Sequence, residues 1–430
     1  MNINENYIGK VSDYTYDGKR VVKAENMPVI FADNGVIGDQ VKVRILGKKR
    51  GVLQGKVIGT LATSSCRQTV PCPYGHSCGG CDLQEMNYEA QTEWKSSRLE
   101  RELKKNGVKF PSPCNNLASK NNKGFRNHMQ WQVKDGKIGL FAKGTNELVE
   151  VQQCMIQTDL GNEILTILSE SEAVNNKSLR LIGIRTNTLQ EAIVIFVTNE
   201  NSKINIAAET IVKLSDAGVI GIYQSVESCI QFHYGARVKT LYGEGIFREK
   251  IGEETFQYKP TGFFQTNTEI TLGAIDIIKQ NIIKDLPVID LYCGVGVLGL
   301  SVLPDKLIYG IEYGKEAVEM AKINGLKRES KAVFIYGKAE EKYREIIDKI
   351  NLHQLILDPP RGGCDRELIN EIIRAKPVQI VYLSCNPNTL ARDLKKLTDN
   401  GYCVKELMNI DMFPWSVHVE CIALIQREIS

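Results

Sequence analysis

The sequence lacks any hydrophobic run that approaches the roughly 18 residues that a membrane span requires. Its first ten residues, MNINENYIGK, also lack the apolar core of a secretory signal peptide. Both absences predict a protein that stays in the cytoplasm and has no membrane partner. A composition of 43% hydrophobic and 24% charged residues in a chain of 430 excludes disordered and fibrous proteins and allows two or three globular domains.

A strong charge imbalance is absent as well. The 54 basic and 51 acidic side chains leave a net charge of only +3. The whole chain therefore gives no argument for a nucleic-acid partner, and basic residues count only where they cluster. Disulfide bonds are not expected, because twelve cysteines in a chain of this size without a secretory signal indicate thiols, a metal site or catalysis.

Residues 1 to about 60 predict a small all-β barrel of the OB-like kind. Three β-like runs, VIFAD, QVKVRIL and VLQGKVIG, are separated by glycine turns. Residues 42–56 contain no acidic side chain and six basic ones, which are Lys42, Arg44, Lys48, Lys49, Arg50 and Lys56. Two explanations fit this cluster equally well. The barrel could follow a phosphate backbone, or the charges could lie on an edge strand and block aggregation. The segment resembles a TRAM domain, a module of RNA-modifying enzymes.

A cysteine-rich loop, CRQTVPCPYGHSCGGCDLQ, follows the predicted barrel. Cys72, Cys78 and Cys81 stand at C-x5-C-x2-C spacing among prolines and glycines, which allows several thiolates to converge on one centre. The best candidate for a fourth ligand is Cys154 in VQQCMIQ, with Cys66 as a spare. A metal site is therefore predicted, and the spacing alone does not separate zinc from a 4Fe-4S cluster.

Residues 61–258 are predicted to form a central α+β domain that contains this loop. Residues 88–109 have the apolar spacing of an exposed amphipathic helix, and further helices are expected near 159–170 and 202–214. Antiparallel strands are predicted for the segments KGFRNHMQWQVKDGKIGLFAK, RLIGIRTN, EAIVIFVT and GIYQSVES. Arg126, His128 and Trp131 have the charge and rings to contact RNA, but a half-buried sheet more often explains such a hairpin.

Residues 259–430 alternate regularly between strands and helices, which predicts a parallel, doubly wound, Rossmann-like sheet in a multidomain α/β protein. The predicted strands are PVIDLY, KLIYGIE, AVFIY, HQLILD and VQIVYLSC, followed by YCVKELMNIDMF and SVHVECIALIQ without an intervening helix. Gly294, Gly296 and Gly299 form a G-x-G-x-x-G turn after the first of these strands. Glu312 ends the next strand, where an acidic side chain binds ribose hydroxyls, so a nucleotide-like cofactor is expected.

Cys385 lies where a buried strand turns into a helix, in the segment IVYLSCNPNTLARDL. Asn386 is the expected N-cap and Pro387 the first helical residue. Ligands bind at this edge of an open α/β sheet, and a helix amino end lowers the pKa of a thiol, so Cys385 is a candidate nucleophile. A buried structural cysteine is the alternative. Asp358, in DPPR, ends the neighbouring strand and is predicted at the same edge, unless it only caps a helix.

The motifs DLYCGVG, LDPPRGG, SCNPNTLARDL and SVHVE occur in this order and resemble those of the RNA uracil-C5 methyltransferase family. With the TRAM-like barrel and the cysteine loop, the resemblance covers nearly the whole chain and is strongest to the 23S ribosomal RNA branch. It implies S-adenosylmethionine as cofactor, bound with the glycine turn (Gly294, Gly296) by Gln265, Tyr292, Glu312 and Asp358. It also implies a 4Fe-4S cluster, rather than zinc, on Cys72, Cys78, Cys81 and Cys154.

The implied reaction makes 5-methyluridine through two catalytic residues. Uracil C5 is too weak a nucleophile to accept a methyl group from a sulfonium, but a thiolate that adds at C6 turns C5 into an enolate carbon. Cys385 matches this nucleophile, and Glu420 of SVHVE matches the base that removes the C5 proton. Without the motif, Glu420 would be read as a surface residue at a strand end. Phe263 is expected near the target base.

Other functions fit the residues less well. An amino-group methyltransferase would place an aromatic residue where Arg361 stands, and an NAD-dependent oxidoreductase would not explain the pair of Cys385 and Glu420. The open alternatives are a tRNA uracil-C5 methyltransferase and a non-catalytic RNA-binding relative. We expect a monomer whose partner is RNA, most of all 23S rRNA.

Overall fold

The computed structural model describes residues 4–199, 202–226, 234–235, 237–303, 306–350 and 352–428. The chain separates into two compact units. The first contains Met1–Lys95, Phe141–Glu147 and Phe413–His418, and the second contains Ser96–Leu140, Leu148–Met412 and Val419–Ser430. Within the described ranges, none of the helices has the length and apolar character needed to cross a membrane.

A closed five-stranded barrel begins the first unit, with its strands bonded in the order β1-β2-β3-β5-β4. The strands are β1 (Asn6–Tyr14), β2 (Arg20–Ala24), β3 (Ile30–Ala32), β4 (Gln40–Lys49) and β5 (Val52–Ala62). Alternation along β4 buries Val41, Val43 and Ile45 in the barrel core and leaves Lys42 and Arg44 outside. The predicted N-terminal barrel is confirmed, and β1 and β2 complete it beyond the three runs that the sequence indicates.

The segment that follows the cysteines is held by hydrogen bonds within the first unit. The backbone N–H of Gly79 donates to the carbonyl oxygen of Phe141 (2.9 Å). The N–H groups of Asp82 and Leu83 both donate to the carbonyl oxygen of Trp415, at 2.8 and 2.9 Å. Helix α1 (Tyr88–Lys105) comes next and confirms the helix predicted near 88–109.

The second unit contains a seven-stranded sheet with the order β13-β12-β11-β10-β7-β8-β9. The elements from residue 115 to 243 are β6 (Asn115–Leu117), β7 (His128–Lys134), β8 (Lys137–Phe141), β9 (Leu148–Glu150), α2 (Asp159–Ser169), β10 (Leu179–Thr186), β11 (Ala192–Thr198), α3 (Ala208–Asp216), β12 (Val219–Val226) and β13 (Arg237–Gly243). Helices α2 and α3 confirm the two predicted near 159–170 and 202–214.

The expectation that this sheet is antiparallel throughout is wrong at one pair. Strands β11 and β12 run parallel, because α3 connects them as a crossover. The other pairs formed by β7, β8, β10 and β13 are antiparallel. The last two residues of the predicted strand GIYQSVES, 227 and 228, lie outside the described residues.

An eight-stranded sheet carries the rest of the second unit, in the order β18-β17-β16-β19-β20-β22-β21-β6. A two-stranded hairpin, β14 (Phe247–Ile251) and β15 (Glu254–Tyr258), and helix α4 (Thr268–Asn281) precede it along the chain. The remaining elements are β16 (Val288–Leu291), α5 (Val297–Val302), β17 (Ile308–Glu312), α6 (Lys315–Leu326), β18 (Val333–Tyr336), α7 (Ala339–Ile347), β19 (Gln354–Leu357), α8 (Arg366–Ala375), β20 (Gln379–Ser384), α9 (Pro387–Thr398), β21 (Tyr402–Ile410) and β22 (Glu420–Arg427).

The pairing of this sheet agrees with the predicted alternation of strands and helices. Strands β16 to β20 pair in parallel, and β22 runs antiparallel to both β20 and β21. Every residue of β16, β19 and β20 is buried, which explains their continuous apolar sequences. Strand β6 was not predicted; it pairs with β21 and extends the sheet.

Candidate active site

The strand order of the eight-stranded sheet reverses between β16 and β19. Strands β17 and β18 lie on one side of β16, and β19 and β20 lie on the other. Connections that leave in opposite directions open a crevice at the carboxyl ends of the two central strands, which is where open α/β sheets bind ligands. The glycine turn follows β16, Asp358 follows β19 and Cys385 follows β20, so the topology brings all three to this edge.

The turn after β16 has a backbone that leaves room for a ligand. Tyr292 has a φ of 65°, a left-handed conformation that costs a non-glycine residue about 1–3 kcal/mol. Gly294 has a φ of 54°, and a Cβ added there would meet no atom within 4 Å. A Cβ at Gly296 would instead lie 3.0 Å from the Phe334 ring. The turn is thus packed against the protein at Gly296 and faces open space at Gly294.

Glu312 is oriented by the backbone of its neighbours. Its carboxylate accepts hydrogen bonds from the N–H of Gly294 at 3.1 Å and from the N–H of Gly314 at 2.6 Å. Glu312 is the last residue of β17, as the sequence predicts, and its carboxylate lies beside the glycine turn. An acidic group held in this position is suited to accept hydrogen bonds from the hydroxyls of a ribose.

A cleft with about 740 Å³ of space, its opening to solvent included, lies against the glycine turn; we call it the sheet-edge cleft. Four of the predicted cofactor residues line it, namely Gln265, Tyr292, Gly294 and Asp358. Glu420 lines it too, so the predicted base faces the predicted cofactor site. The sequence did not indicate Ile410 and Met412, which line the cleft from the end of β21, because apolar residues at a strand end carry no distinguishing signal.

The pair Cys385 and Glu420 is brought together by strand pairing. Strands β20 and β22 are antiparallel, with Ser384 opposite Cys421. Continuing this register by one residue places Cys385 opposite Glu420, and residues opposite each other in an antiparallel pair point to the same face. The two predicted catalytic side chains, 35 positions apart in the sequence, therefore meet at the sheet edge.

The local structure around Cys385 agrees with the prediction, but its acidity does not. Asn386 caps α9 by accepting a hydrogen bond from the N–H of Asn388 at 3.1 Å, and Pro387 begins the helix. The pKa of the Cys385 thiol is raised to about 11, first by burial and second by the charge of Glu420, while Arg361 opposes the rise. The predicted lowering of this pKa is wrong, because burial and a facing carboxylate outweigh the helix terminus.

Two further carboxyl groups lie at the ends of the central strands. Burial raises the pKa of Asp358 to about 6. Asp290, which sequence reasoning missed, is fully buried in β16, and burial raises its pKa to about 7. Its Oδ2 accepts a hydrogen bond from the N–H of Gly299 at 2.9 Å, whereas its Oδ1 has no partner among the described residues. The detectable signal was an acidic residue inside an apolar strand, PVIDLY.

The loop after Asp358 is fixed by helix α9. The carbonyl oxygen of Arg361 accepts hydrogen bonds from Asn386 Nδ2 (3.1 Å) and Thr389 Oγ1 (3.4 Å). The buried carboxylate of Asp393 accepts one from the N–H of Cys364 (2.9 Å). The motifs LDPPRGG and SCNPNTLARDL therefore form one hydrogen-bonded structure that sets Arg361 beside the thiol.

The predicted metal ligands are divided between the two units. Cys72, Cys78 and Cys81 belong to the first unit and Cys154 to the second. Cys78 and Cys81 line one cleft of the first unit, and the N–H of Gly80 donates to Cys78 Sγ at 3.4 Å. In the part of the chain that the structure describes, no group of three or more His, Cys, Asp or Glu side chains is arranged to hold a metal ion. The spare candidate, Cys66, packs against an apolar cluster.

The hairpin that carries Arg126, His128 and Trp131 is a half-buried sheet. Trp131 is fully buried and cannot stack on RNA. Arg126 Nε donates to the carbonyl oxygen of His128 at 3.0 Å, and His128 Nε2 lies 2.7 Å from the hydroxyl of Tyr234. The structural alternative given for this hairpin is confirmed.

Comparisons with known proteins identify similar chains. A family model described as tRNA (Uracil-5-)-methyltransferase matches residues 88–428. An uncharacterized RNA methyltransferase of Bacillus cereus is 32% identical over 443 residues, covering 96% of this chain and 95% of the relative. One of Oceanobacillus iheyensis is 33% identical over 456 residues, covering 100% and 98%. The crystal structure of Pyrococcus abyssi tRNA (uracil-54, C5)-methyltransferase in complex with S-adenosyl-L-homocysteine is similar with a TM-score of 0.77 and 25% identity, covering 97% of this chain and 100% of that one.

Proposed function

We propose a covalent mechanism and a ribosomal substrate for this chain, which belongs to the tRNA (uracil-5-)-methyltransferase family and is an S-adenosylmethionine-dependent RNA (uracil-C5) methyltransferase. In our proposal it forms 5-methyluridine at a specific uridine of 23S rRNA. The observation that carries the mechanism is the placement of Cys385 opposite Glu420 beside the sheet-edge cleft. A non-catalytic RNA-binding protein would have no use for this pair.

The residues of the sheet-edge cleft fit S-adenosylmethionine. In our proposal the cofactor approaches the backbone of the glycine turn (Gly294, Gly296) through the open space at Gly294, and Glu312 accepts hydrogen bonds from its ribose. The other three binding residues proposed are Gln265, Tyr292 and Asp358, all of which line the cleft. When bound, S-adenosylmethionine supplies the methyl group. The related Pyrococcus abyssi enzyme holds S-adenosyl-L-homocysteine, the product of such a transfer.

Cys385 and Glu420 divide the proposed chemistry between them. The Cys385 thiolate adds to uracil C6, and the electron pair of the C5–C6 double bond moves to C5, which then accepts the methyl group. The Glu420 carboxylate removes the remaining C5 proton, the C5–C6 double bond forms again and the C6–S bond breaks. Arg361 favours formation of the thiolate needed for the first reaction step, because its charge counteracts the rise in the pKa of Cys385. Phe263, 74% exposed beside the cleft, has a ring available to stack on the base.

The substrate proposal depends on the first unit. Lys42 and Arg44 project from the outer face of β4, where a TRAM-like barrel would follow a phosphate backbone. Together with the cysteine loop, this barrel is the feature that resembles the 23S rRNA branch. The alternative is a tRNA uridine, and it is favoured by the name of the similar Pyrococcus abyssi protein. In either RNA the target base must leave its stack to reach the cleft.

Deleting the gene should remove 5-methyluridine from one or a few sites of 23S rRNA and leave tRNA unchanged. The measurement is mass-spectrometric mapping of both RNA classes from the wild-type and deletion strains. A plasmid with the wild-type gene should restore the modification, and a matched plasmid with Cys385→Ala should not. Loss of 5-methyluridine from tRNA alone would overturn the ribosomal substrate while leaving the chemistry intact.

We also propose a 4Fe-4S cluster on Cys72, Cys78, Cys81 and Cys154. Support comes from Cys78 and Cys81 lining one cleft of the first unit and from the Gly80 N–H that donates to Cys78 Sγ. Hydrogen bonds of this kind stabilise thiolate ligands and tune iron–sulfur centres. The cysteines would hold the loop and support RNA positioning; no step of the methyl transfer requires a redox change.

Protein purified without oxygen should therefore contain iron and acid-labile sulfide, and Cys78→Ser should lose both. Serine keeps the size of the side chain but offers no thiolate to the cluster. Cys66→Ser is the matched control, since Cys66 packs in an apolar cluster and should not affect the iron content. Stoichiometric zinc without sulfide would contradict the cluster.

A further inference from the structure

Residues 263–267 lie outside any regular element, and the first three of them form a wall of the sheet-edge cleft. Phe263, Phe264 and Gln265 line the cleft, and helix α4 starts only at Thr268. A segment without its own ladder of backbone hydrogen bonds takes its position from the groups that it contacts. The groups that hold residues 263–267 therefore decide where Gln265 lies.

Asn127 binds this wall at three points. Its backbone N–H donates to the carbonyl oxygen of Thr266 at 3.0 Å. Its side-chain Nδ2 lies 3.1 Å from the carbonyl oxygen of Gln265 and 3.2 Å from Thr268 Oγ1. The side-chain amide of Asn127 is thus a direct support of Gln265, because a carbonyl oxygen only accepts and the amide must turn its nitrogen toward it.

Glu249 is a second acceptor that requires the same orientation of the Asn127 amide. Its Oε2 lies 3.4 Å from Asn127 Nδ2 and accepts from Thr268 Oγ1 at 3.3 Å. Its Oε1 accepts from the N–H of Thr188 at 3.0 Å and from Thr188 Oγ1 at 2.7 Å. An ionised carboxylate offers only acceptors, so the Asn127 amide must present its NH₂ group and not its oxygen.

The environment of Glu249 is unusual for a carboxylate. The residue is 0% exposed, and burial raises its pKa against the opposing hydrogen bonds of Thr188 and Thr268. The donors that it binds, which include the backbone N–H of Lys250, are neutral groups. A buried carboxylate that binds only neutral donors lowers the stability of the folded protein. An apolar residue at this position of β14 would avoid that cost in free energy. The hydrogen bonds of Glu249 with Asn127 and Thr268, which contact the wall of the cleft, give a functional reason for a carboxylate at this position.

We propose that Glu249 is a positioning residue of the cofactor site, acting through Asn127 and Thr268 to hold Gln265 in the wall of the sheet-edge cleft. The inference rests on the proposed role of Gln265 in binding S-adenosylmethionine. Cys385 follows strand β20 and Glu420 begins strand β22, outside the segments that this network joins. Loss of Glu249 therefore weakens cofactor binding and leaves the catalytic pair in place.

The variants Glu249→Gln and Glu249→Ala test whether Glu249 supports cofactor binding without affecting the catalytic pair. The glutamine keeps the shape but turns an NH₂ group toward donors, and the alanine removes the acceptor. We expect the dissociation constant of S-adenosylhomocysteine, measured by calorimetry, and the KM for S-adenosylmethionine to rise on the order of tenfold for each variant. The kcat at saturating cofactor should stay within about twofold, because binding is lost without a loss at the transition state.

Glu253→Gln is the matched control. Glu253 lies in the turn of the same hairpin and makes an exposed ion pair with Lys250 at 3.4 Å, so its loss should leave both constants unchanged. A lower melting temperature of the Glu249 variants with an unchanged dissociation constant would show a purely structural role and overturn the proposal. A fall in kcat at unchanged affinity would overturn it as well.

Two more variants keep the outcome decisive. Thr268→Val removes the hydroxyl that joins Glu249 to the wall and keeps the other bonds of the carboxylate, so it replaces the Glu249 variants if these do not fold. A several-fold weaker affinity supports the proposal, and an unchanged one overturns it. Gln265→Ala tests the role of Gln265 separately from that of Glu249. If this variant binds S-adenosylhomocysteine as tightly as wild type, the assigned role of Gln265 is wrong. If only Gln265→Ala binds weakly, the positioning role of Glu249 is wrong.

Discussion

Cys385→Ala should abolish methylation of substrate RNA, with a loss on the order of 10⁴-fold or more in kcat. Without the thiolate, C5 of uracil is not converted into a carbon nucleophile, and the remaining groups of the site have no other way to activate it. The measurement is incorporation of label from S-adenosylmethionine into RNA, with a denaturing gel to detect protein–RNA adducts. Neither labelled RNA nor an adduct should form.

Cys403→Ala is a suitable control for Cys385→Ala. Cys403 lies on β21, and its Sγ donates to the carbonyl oxygen of Gln426 at 3.5 Å, near the far end of the sheet. This variant should bind and methylate RNA as the wild type does. Retention of activity in Cys385→Ala would mean that the reaction does not proceed through addition at C6.

Glu420→Gln should fail at a later step and accumulate a methylated adduct. The thiolate still adds and the methyl group is still transferred, but the C5 proton stays, so the C6–S bond cannot break. Loss of a general base typically lowers turnover by about 10²–10⁴-fold. On a denaturing gel, a slow-migrating protein–RNA band should carry the labelled methyl group. The double variant with Cys385→Ala should show no such band.

The same variant changes the acidity of the thiol in a predictable direction. Burial and the charge of Glu420 raise the pKa of Cys385 to about 11, so near pH 8 we expect little thiolate and slow alkylation by iodoacetamide. The Glu420 charge raises this pKa, so Glu420→Gln should lower it and make alkylation at pH 8 faster. Near wild-type turnover in Glu420→Gln would instead show that another group, such as Asp358, removes the proton.

Local patterns in the sequence were enough to predict much of the site. Cys385 could be placed because an apolar run, an N-cap and a proline occur within eight residues of each other. Its raised pKa could not, because both causes depend on tertiary structure: burial of the thiol first, and second the charge of Glu420, which lies on a paired strand 35 residues later. The proposed role of Glu249 could not be predicted for the same reason. Its partners lie in segments around 127, 188 and 268, and no local sequence pattern links these segments.

The fold shows a similar division between local and distant causes. The barrel, the central helices and the regular strand–helix alternation follow from periodicity and turn residues, and they were predicted. Strand β6 consists of three residues, Asn-Asn-Leu, whose propensity does not favour a strand; pairing with β21 makes it one. The helix that connects β11 and β12 was predicted, but the spacing of the apolar residues does not encode that these two strands pair with each other in parallel.

The position of β22 determines when activity can first exist during folding. This strand follows β21 along the chain but lies between β21 and β20 in the sheet. Until it inserts, both neighbours expose unpaired edges, which are sites of aggregation. Because the first residue of β22 is Glu420, the proposed base is in place only once this strand has paired. In our proposal, a molecule in which β22 has not paired would lack the group that allows the product to be released.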